Sequence, residues 1–207
     1  MIPFKIALLS LALVCPLASA ASYDCPKAVS NVEKMVCADP ELSRLDDDLH
    51  GSYKRAVARV GDELAMRQWQ RNWLKSQALN GCKTAQCVKV AYGTRVKLLD
   101  DAVPSRWTGQ YARYYKGKAD RNQGDILLIA VGENAAIVEG MTTWPDPDEQ
   151  VRPGQFGSLG AFSGEHLIVE AEECQASMTL KGKVLRVDDS KTCSGTNGTF
   201  GAEYRRK

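Results

Sequence analysis

Reactive side chains are scarce in this chain. Its 207 residues include two histidines, His50 and His166, and neither stands among cysteines at metal-ligand spacing, which argues against zinc and against histidine catalysis. No CxxC pair is present, so a thioredoxin-like redox centre is not expected. Serines are numerous, but Phe162-Ser163-Gly164 does not fit the G-x-S-x-G elbow, and the adjacent carboxylates at turns are not a pair held across a cleft. A one-sided charge is missing too: 27 basic against 25 acidic groups give a formal +2, far from the basicity of a nucleic-acid binder. No catalytic residue, metal or cofactor is assigned.

Long hydrophobic runs are also lacking. Ile6 to Val14 is apolar apart from Ser10, well short of the roughly 20 residues that span a bilayer, and no later stretch approaches it. With Lys5 before it and Ala18-Ser19-Ala20 after it, this run reads as a secretory leader, residues 1–20, cleaved after Ala20. Cys15 follows Leu13-Val14 and precedes Pro16, without the small residue expected just upstream of a lipidated cysteine. Removing the leader takes away Lys5 and Cys15 and leaves six cysteines, an even count that suits an oxidising compartment. Six cysteines allow 15 pairings, yet their spacing is local, so Cys25 with Cys37, Cys82 with Cys87 and Cys174 with Cys193 are expected.

What is present divides near Pro104. Before it, apolar residues recur at helical spacing; after it, they alternate in short runs punctuated by glycine. Ser30 with Glu33 has the spacing of a capping box, and Asp39-Pro40 sets an N-cap before a proline at the first helical position. Leu42, Leu45, Leu49, Tyr53, Ala56 and Val60 then mark one face. Met66, Trp69 and Trp73 mark a second, extended to Gln77 or Ala78, and Val88, Tyr92, Val96 and Leu99 a third. The expected fold is α+β: a small disulfide-clipped antiparallel helical bundle over residues 21–103, then an antiparallel β-barrel-like domain over 104–207. The barrel strands are expected at 107–115, 125–131, 135–142, 166–171, 174–180, 183–188 and 199–205.

The longest expected loop runs from Trp144 through Pro145, Asp146, Pro147, Asp148 and Glu149 to Phe156. Prolines stiffen it, and two aromatics flank three carboxylates, so Trp144, Asp146, Asp148, Glu149 and Phe156 form the candidate partner-binding patch. Glu170, Glu172 and Glu173 read as a solvated turn, Asp46, Asp47 and Asp48 as a helix face, Trp69 and Trp73 as core, and Asn197-Gly198-Thr199 as a turn.

Tyr23-Asp24-Cys25-Pro26-Lys27-Ala28, Val32-Glu33-Lys34-Met35-Val36-Cys37 and Pro40-Glu41-Leu42-Ser43-Arg44-Leu45-Asp46 resemble the N-terminal domain of the LprI-like lysozyme-inhibitor family. So do Gln68-Trp69-Gln70-Arg71-Asn72-Trp73-Leu74 and Cys82 through Cys87 with Tyr92 and Arg95. The match covers roughly residues 23–100. It implies a periplasmic or secreted protein of the bacterial envelope and, for some members, inhibition of lysozyme by occluding the enzyme's cleft without chemistry. The expected partner is therefore lysozyme or another secreted protein. An alternative is a periplasmic structural or protein-interaction module, such as an immunity partner for another toxin. A third reading, a ligand-carrying barrel, requires an open interior.

Overall fold

The computed structural model describes residues 24–120, 124–145, 151–171, 174–190, 193 and 199–207, without the side chains of 144, 145 and 151–153. A short 3-10 turn, Cys25–Lys27, precedes α1 (Asn31–Ala38), α2 (Pro40–Val60), α3 (Glu63–Leu74), α4 (Gln77–Asn80) and α5 (Ala85–Asp101). Local chemistry sets their ends. The Ser30 hydroxyl accepts from Glu33 N–H at 3.1 Å while Glu33 accepts from Ser30 N–H at 2.7 Å, the reciprocal bonds of a capping box. Asp39, Asp62 and Thr84 cap the next three long helices by accepting from first-turn amides. Gly61 ends α2 at φ +77°, a left-handed conformation that costs glycine little. Ser76 and the short α4 interrupt the stripe expected to run through Gln77 and Ala78, and both of those residues are exposed.

Within the bundle α2 and α5, separated by the returning α3, run parallel. Lys89, early in α5, pairs with Asp39 at 3.3 Å and with Glu41 at the start of α2. At the other end, Arg59 donates to the carbonyls of Leu99 at 2.6 Å and Ala102 at 2.7 Å, satisfying groups that a helix C-terminus leaves open. The intervening α3 and α4 carry the chain back, which lets two helices far apart in sequence lie side by side.

Eight strands close a barrel: β1 (Gly109–Tyr115), β3 (Gly124–Val131), β4 (Ala135–Pro145), β5 (Val151–Ser163), β6 (His166–Ala171), β7 (Cys174–Lys181), β8 (Val184–Asp189) and β9 (Ala202–Arg206). They pair antiparallel in sequence order, and β1 with β9 completes the ring; the two-residue β2 (Lys118–Ala119) pairs only with the end of β1. Closure removes the exposed edges that an open sheet would keep. The largest departure from expectation is β5. Within 144–156, expected to be one long loop, residues 144, 145 and 151–156 pair as strands, with Trp144 opposite Arg152 and Gly140 opposite Phe156. Its glycines and Pro153 read as breakers, but small residues on the inner face make room for rings. A Cβ on Gly140 would lie 2.3 Å from Phe156 and 2.8 Å from Phe200.

The barrel interior is packed with side chains. Tyr111, Ile126, Leu128, Val138, Leu167, Val169, Met178, Leu185, Phe200 and Tyr204 are all fully buried, so the described interior has no room for a carried ligand. Strand β3 is buried on both faces. Ile126 and Leu128 point inward, while Leu127, Ile129 and Val131, joined by Ala135 and Ile137 of β4, belong to the helical core. Helices and barrel thus meet across one apolar face, edged by Gly132 N–H donating to Asp101 at 2.8 Å and by Arg206 pairing with Asp62 at 2.7 Å.

Three disulfides form: Cys25–Cys37, Cys82–Cys87 and Cys174–Cys193. The last closes the widest loop, with a sequence separation of 19 between its cysteines, and ties the start of β7 to the segment before β9. Converting both of these cysteines to serine is expected to lower stability by about 3 kcal/mol on loop-closure grounds. Urea unfolding of the oxidised double variant measures this, and an unchanged midpoint would contradict it.

Candidate functional site

Of the expected patch, the described strands hold its two aromatic ends, Trp144 in β4 and Phe156 in β5. Trp144 lies in β4 with its side chain outside the description, and Asp146, Asp148 and Glu149 lie outside the described residues. Phe156 is half-buried on the inner face of β5, edge-on to Phe200 with ring centroids 4.7 Å apart. Its ring packs into the barrel, so it secures the hairpin from within.

Other candidates are dispersed. His50 is exposed on α2, and His166 is exposed at the start of β6, its Nδ1 3.2 Å from Ser177 Oγ. Among the described residues no three His, Cys, Asp or Glu side chains converge to hold a metal. Asp46 is buried and accepts from Tyr92 O–H at 3.2 Å, whereas Asp47 and Asp48 face water, so the acidic run is split as helical geometry requires. Glu170 is exposed; Glu172, Glu173, Asn197 and Gly198 lie outside the described residues. Shallow depressions of about 330 Å³ and 520 Å³ run along the outer face of β6 to β8, where Ser177 and Asp188 line both.

Two inward tyrosines show what burial does to a phenol. Tyr111 donates to Trp107 O at 2.8 Å and is pushed up to about 12, and Tyr204 donates to Phe200 O at 3.0 Å and is raised further. Both remain neutral donors that tie β1 and β9 to the segments leading into them.

The polar cluster with the most unusual environment was not singled out as a site in the sequence. Arg95 of α5 is only 2% exposed, its guanidinium stacked 3.7 Å above the Trp69 ring and 5.6 Å from that of Trp73. Its Nε donates to Gln70 Oε1 at 3.0 Å, while Nη2 is buried without a hydrogen-bond partner. Burial lowers its pKa to about 9, opposed by the field of Glu139. From α3, Asn72 Nδ2 donates to Glu139 Oε2 at 2.6 Å, and Gln68 fixes that amide by donating to its Oδ1 at 2.7 Å. The Trp69–Trp73 segment is therefore core on one side and a polar seam toward β4 on the other. Its readable signal is spacing: Val88, Tyr92, Arg95 and Leu99 step by four, three and four, which puts Arg95 on the buried stripe.

No family model matches the chain, and no solved structure matches it. Among curated proteins, the chain is similar over 95 residues to the protein named Lipoprotein LprI of Mycobacterium bovis and of Mycobacterium tuberculosis strains CDC 1551 and H37Rv. The identity is 32%, covering 45% of this chain and 48% of each relative, so the chain spans about half the length of the curated relatives it matches.

Proposed function

We propose that the chain is a secreted periplasmic binding protein that inhibits lysozyme by blocking its cleft and performs no chemistry of its own. The observation that carries this reading is the partial similarity to the LprI lipoproteins, together with the family signature at residues 23–100. Three disulfides suit an oxidising compartment, and among the described residues no helix is long and apolar enough to cross a membrane.

Trp144, Asp146, Asp148 and Glu149 are the proposed contact residues, with Phe156 securing the strand behind them. The helical bundle covers β4 from Ala135 and Ile137 as far as Glu139, which Asn72 of α3 reaches, and Pro145 ends the same strand six residues beyond Glu139. At about 3.3 Å per residue, that places the end of β4 roughly 20 Å along the strand from the helices. Acidic groups carried there would meet a basic enzyme, where complementary charge accelerates encounter. The buried area of such a complex would be near the usual total of about 1,600 Å².

The test is the clearing of a bacterial cell-wall suspension by lysozyme with increasing amounts of the oxidised protein. Inhibition that saturates near one equivalent supports the reading; clearing at the uninhibited rate under molar excess rejects it. Within an active protein, replacing Trp144, Asp146, Asp148 and Glu149 together by alanine is expected to weaken inhibition at least ~10-fold, as losing a cluster of interface hot spots does. Unaltered inhibition by that variant would place the contact elsewhere.

A further inference from the structure

We propose that Glu139 is an acid-strengthened latch between the barrel and the helical bundle. Ala135, Ile137 and Glu139 alternate onto the outer face of β4; the first two enter the helical core, and the third carries a carboxyl group into the same interface. That carboxyl receives its Asn72 bond from a neutral amide. The cation facing it, Arg95, is committed to Gln70 through Nε and to Trp69 through its face, and forms no direct ion pair with it, leaving Nη2 unpartnered.

The groups that face Glu139 from each packed element are few. Strand β3 presents Leu127 opposite it and β5 presents Gly157; α3 presents Asn72, α5 presents Arg95, and Tyr53 of α2 acts on Arg95. Among the described residues, Arg95 is the charged group of this set and Tyr53 the other titratable one. A half-buried carboxylate with one neutral donor and a cation held at a distance is less favoured than the same carboxylate in water. The acid form keeps the Asn72 bond through its carbonyl oxygen and gains an O–H donor. In accord with this, burial raises the Glu139 pKa against the opposing effects of Asn72 and Arg95.

The sign follows from linkage. A carboxyl whose pKa is higher when docked than when free favours the docked state once protonated. Its contribution is complete below the ordinary glutamate range and is lost as pH rises through the elevated docked value. Each pH unit of elevation is a tenfold change in the docking equilibrium.

The test uses the full oxidised chain. The Glu139 side-chain carbon is followed by NMR titration, and urea midpoints are compared at pH 7.5 and pH 5 for the wild type and Glu139→Gln. Glu139 should titrate above the ordinary glutamate value, and Asn72→Ala should move it higher by removing a bond that favours the charge. The wild type should gain stability on acidification relative to Glu139→Gln. A titration at or below the ordinary value overturns the latch, as does a Glu139→Gln variant that keeps the full wild-type difference between the two pH values. Should that variant fail to fold, the wild-type titration alone decides.

Discussion

Trp69→Ala is expected to remove about 3–5 kcal/mol of stability, the usual cost of truncating a buried tryptophan. Two losses combine at this position. The indole is 2% exposed in the helical core with Met66 and Leu99, so its removal opens a cavity at a close-packed contact between helices. The same ring is the face on which the Arg95 guanidinium lies at 3.7 Å, and without it a buried cation keeps the Gln70 bond, the more distant Trp73 ring and the field of Glu139. Trp69→Phe retains a π face and part of the volume and should lose less than half as much. For a chain of this size, the alanine variant should melt roughly 10 °C lower. Urea unfolding followed by circular dichroism with the disulfides intact measures the change. A loss under about 1 kcal/mol would mean that the helical core does not depend on this ring.

The helical half was legible because its signals are local. Ser30 with Glu33 and Asp39-Pro40 act within one turn of themselves, and each caps the helix that follows it. The short α4 was not legible, since the apolar stripe of α3 extends past Leu74 in the sequence and only the packed fold buries Leu79 in place of Gln77 or Ala78. In the barrel, the run from Ile126 to Val131 betrayed a strand but gave no hint which partner would cover its outer face. A strand buried on both sides loses the alternation that normally tells inside from outside.

Strand β5 was missed for a different reason. Pro153, Gly154, Gly157 and Gly160 weaken a strand when considered alone, yet Gly160 lies against Leu167, and Gly140 on the neighbouring strand lies against two phenylalanines. The information lies in pairs of residues far apart in sequence. Arg95 and Glu139 follow the same rule. Helical spacing places the arginine on a buried stripe, and strand alternation places the glutamate on the outer face of β4, but only the packed fold brings the two near each other.

Phe200→Ala is expected to cost a similar 3–5 kcal/mol, and its functional consequence discriminates between the two ends of the molecule. Phe200 is fully buried and edge-on to Phe156, and Gly140 is glycine because both rings approach it. Its backbone is equally committed: its N–H donates to Asp189 Oδ2 at 2.7 Å, and its carbonyl accepts from Tyr204 O–H at 3.0 Å. Nearby, Arg113 donates to Thr199 O at 3.2 Å and pairs with Asp120 at 3.1 Å, so the ring enters a site fixed by hydrogen bonds that cannot collapse around a void. Removing the ring frees Phe156 and with it the packing that sets β5 against β4. If lysozyme is contacted through the hairpin ended by these strands, inhibition at a temperature where the variant remains folded should fall by more than the unfolded fraction explains. Trp69→Phe, which perturbs the opposite side of the molecule, should leave inhibition unchanged. Equal inhibition by the wild type and folded Phe200→Ala would separate barrel packing from partner binding and move the contact surface away from the hairpin.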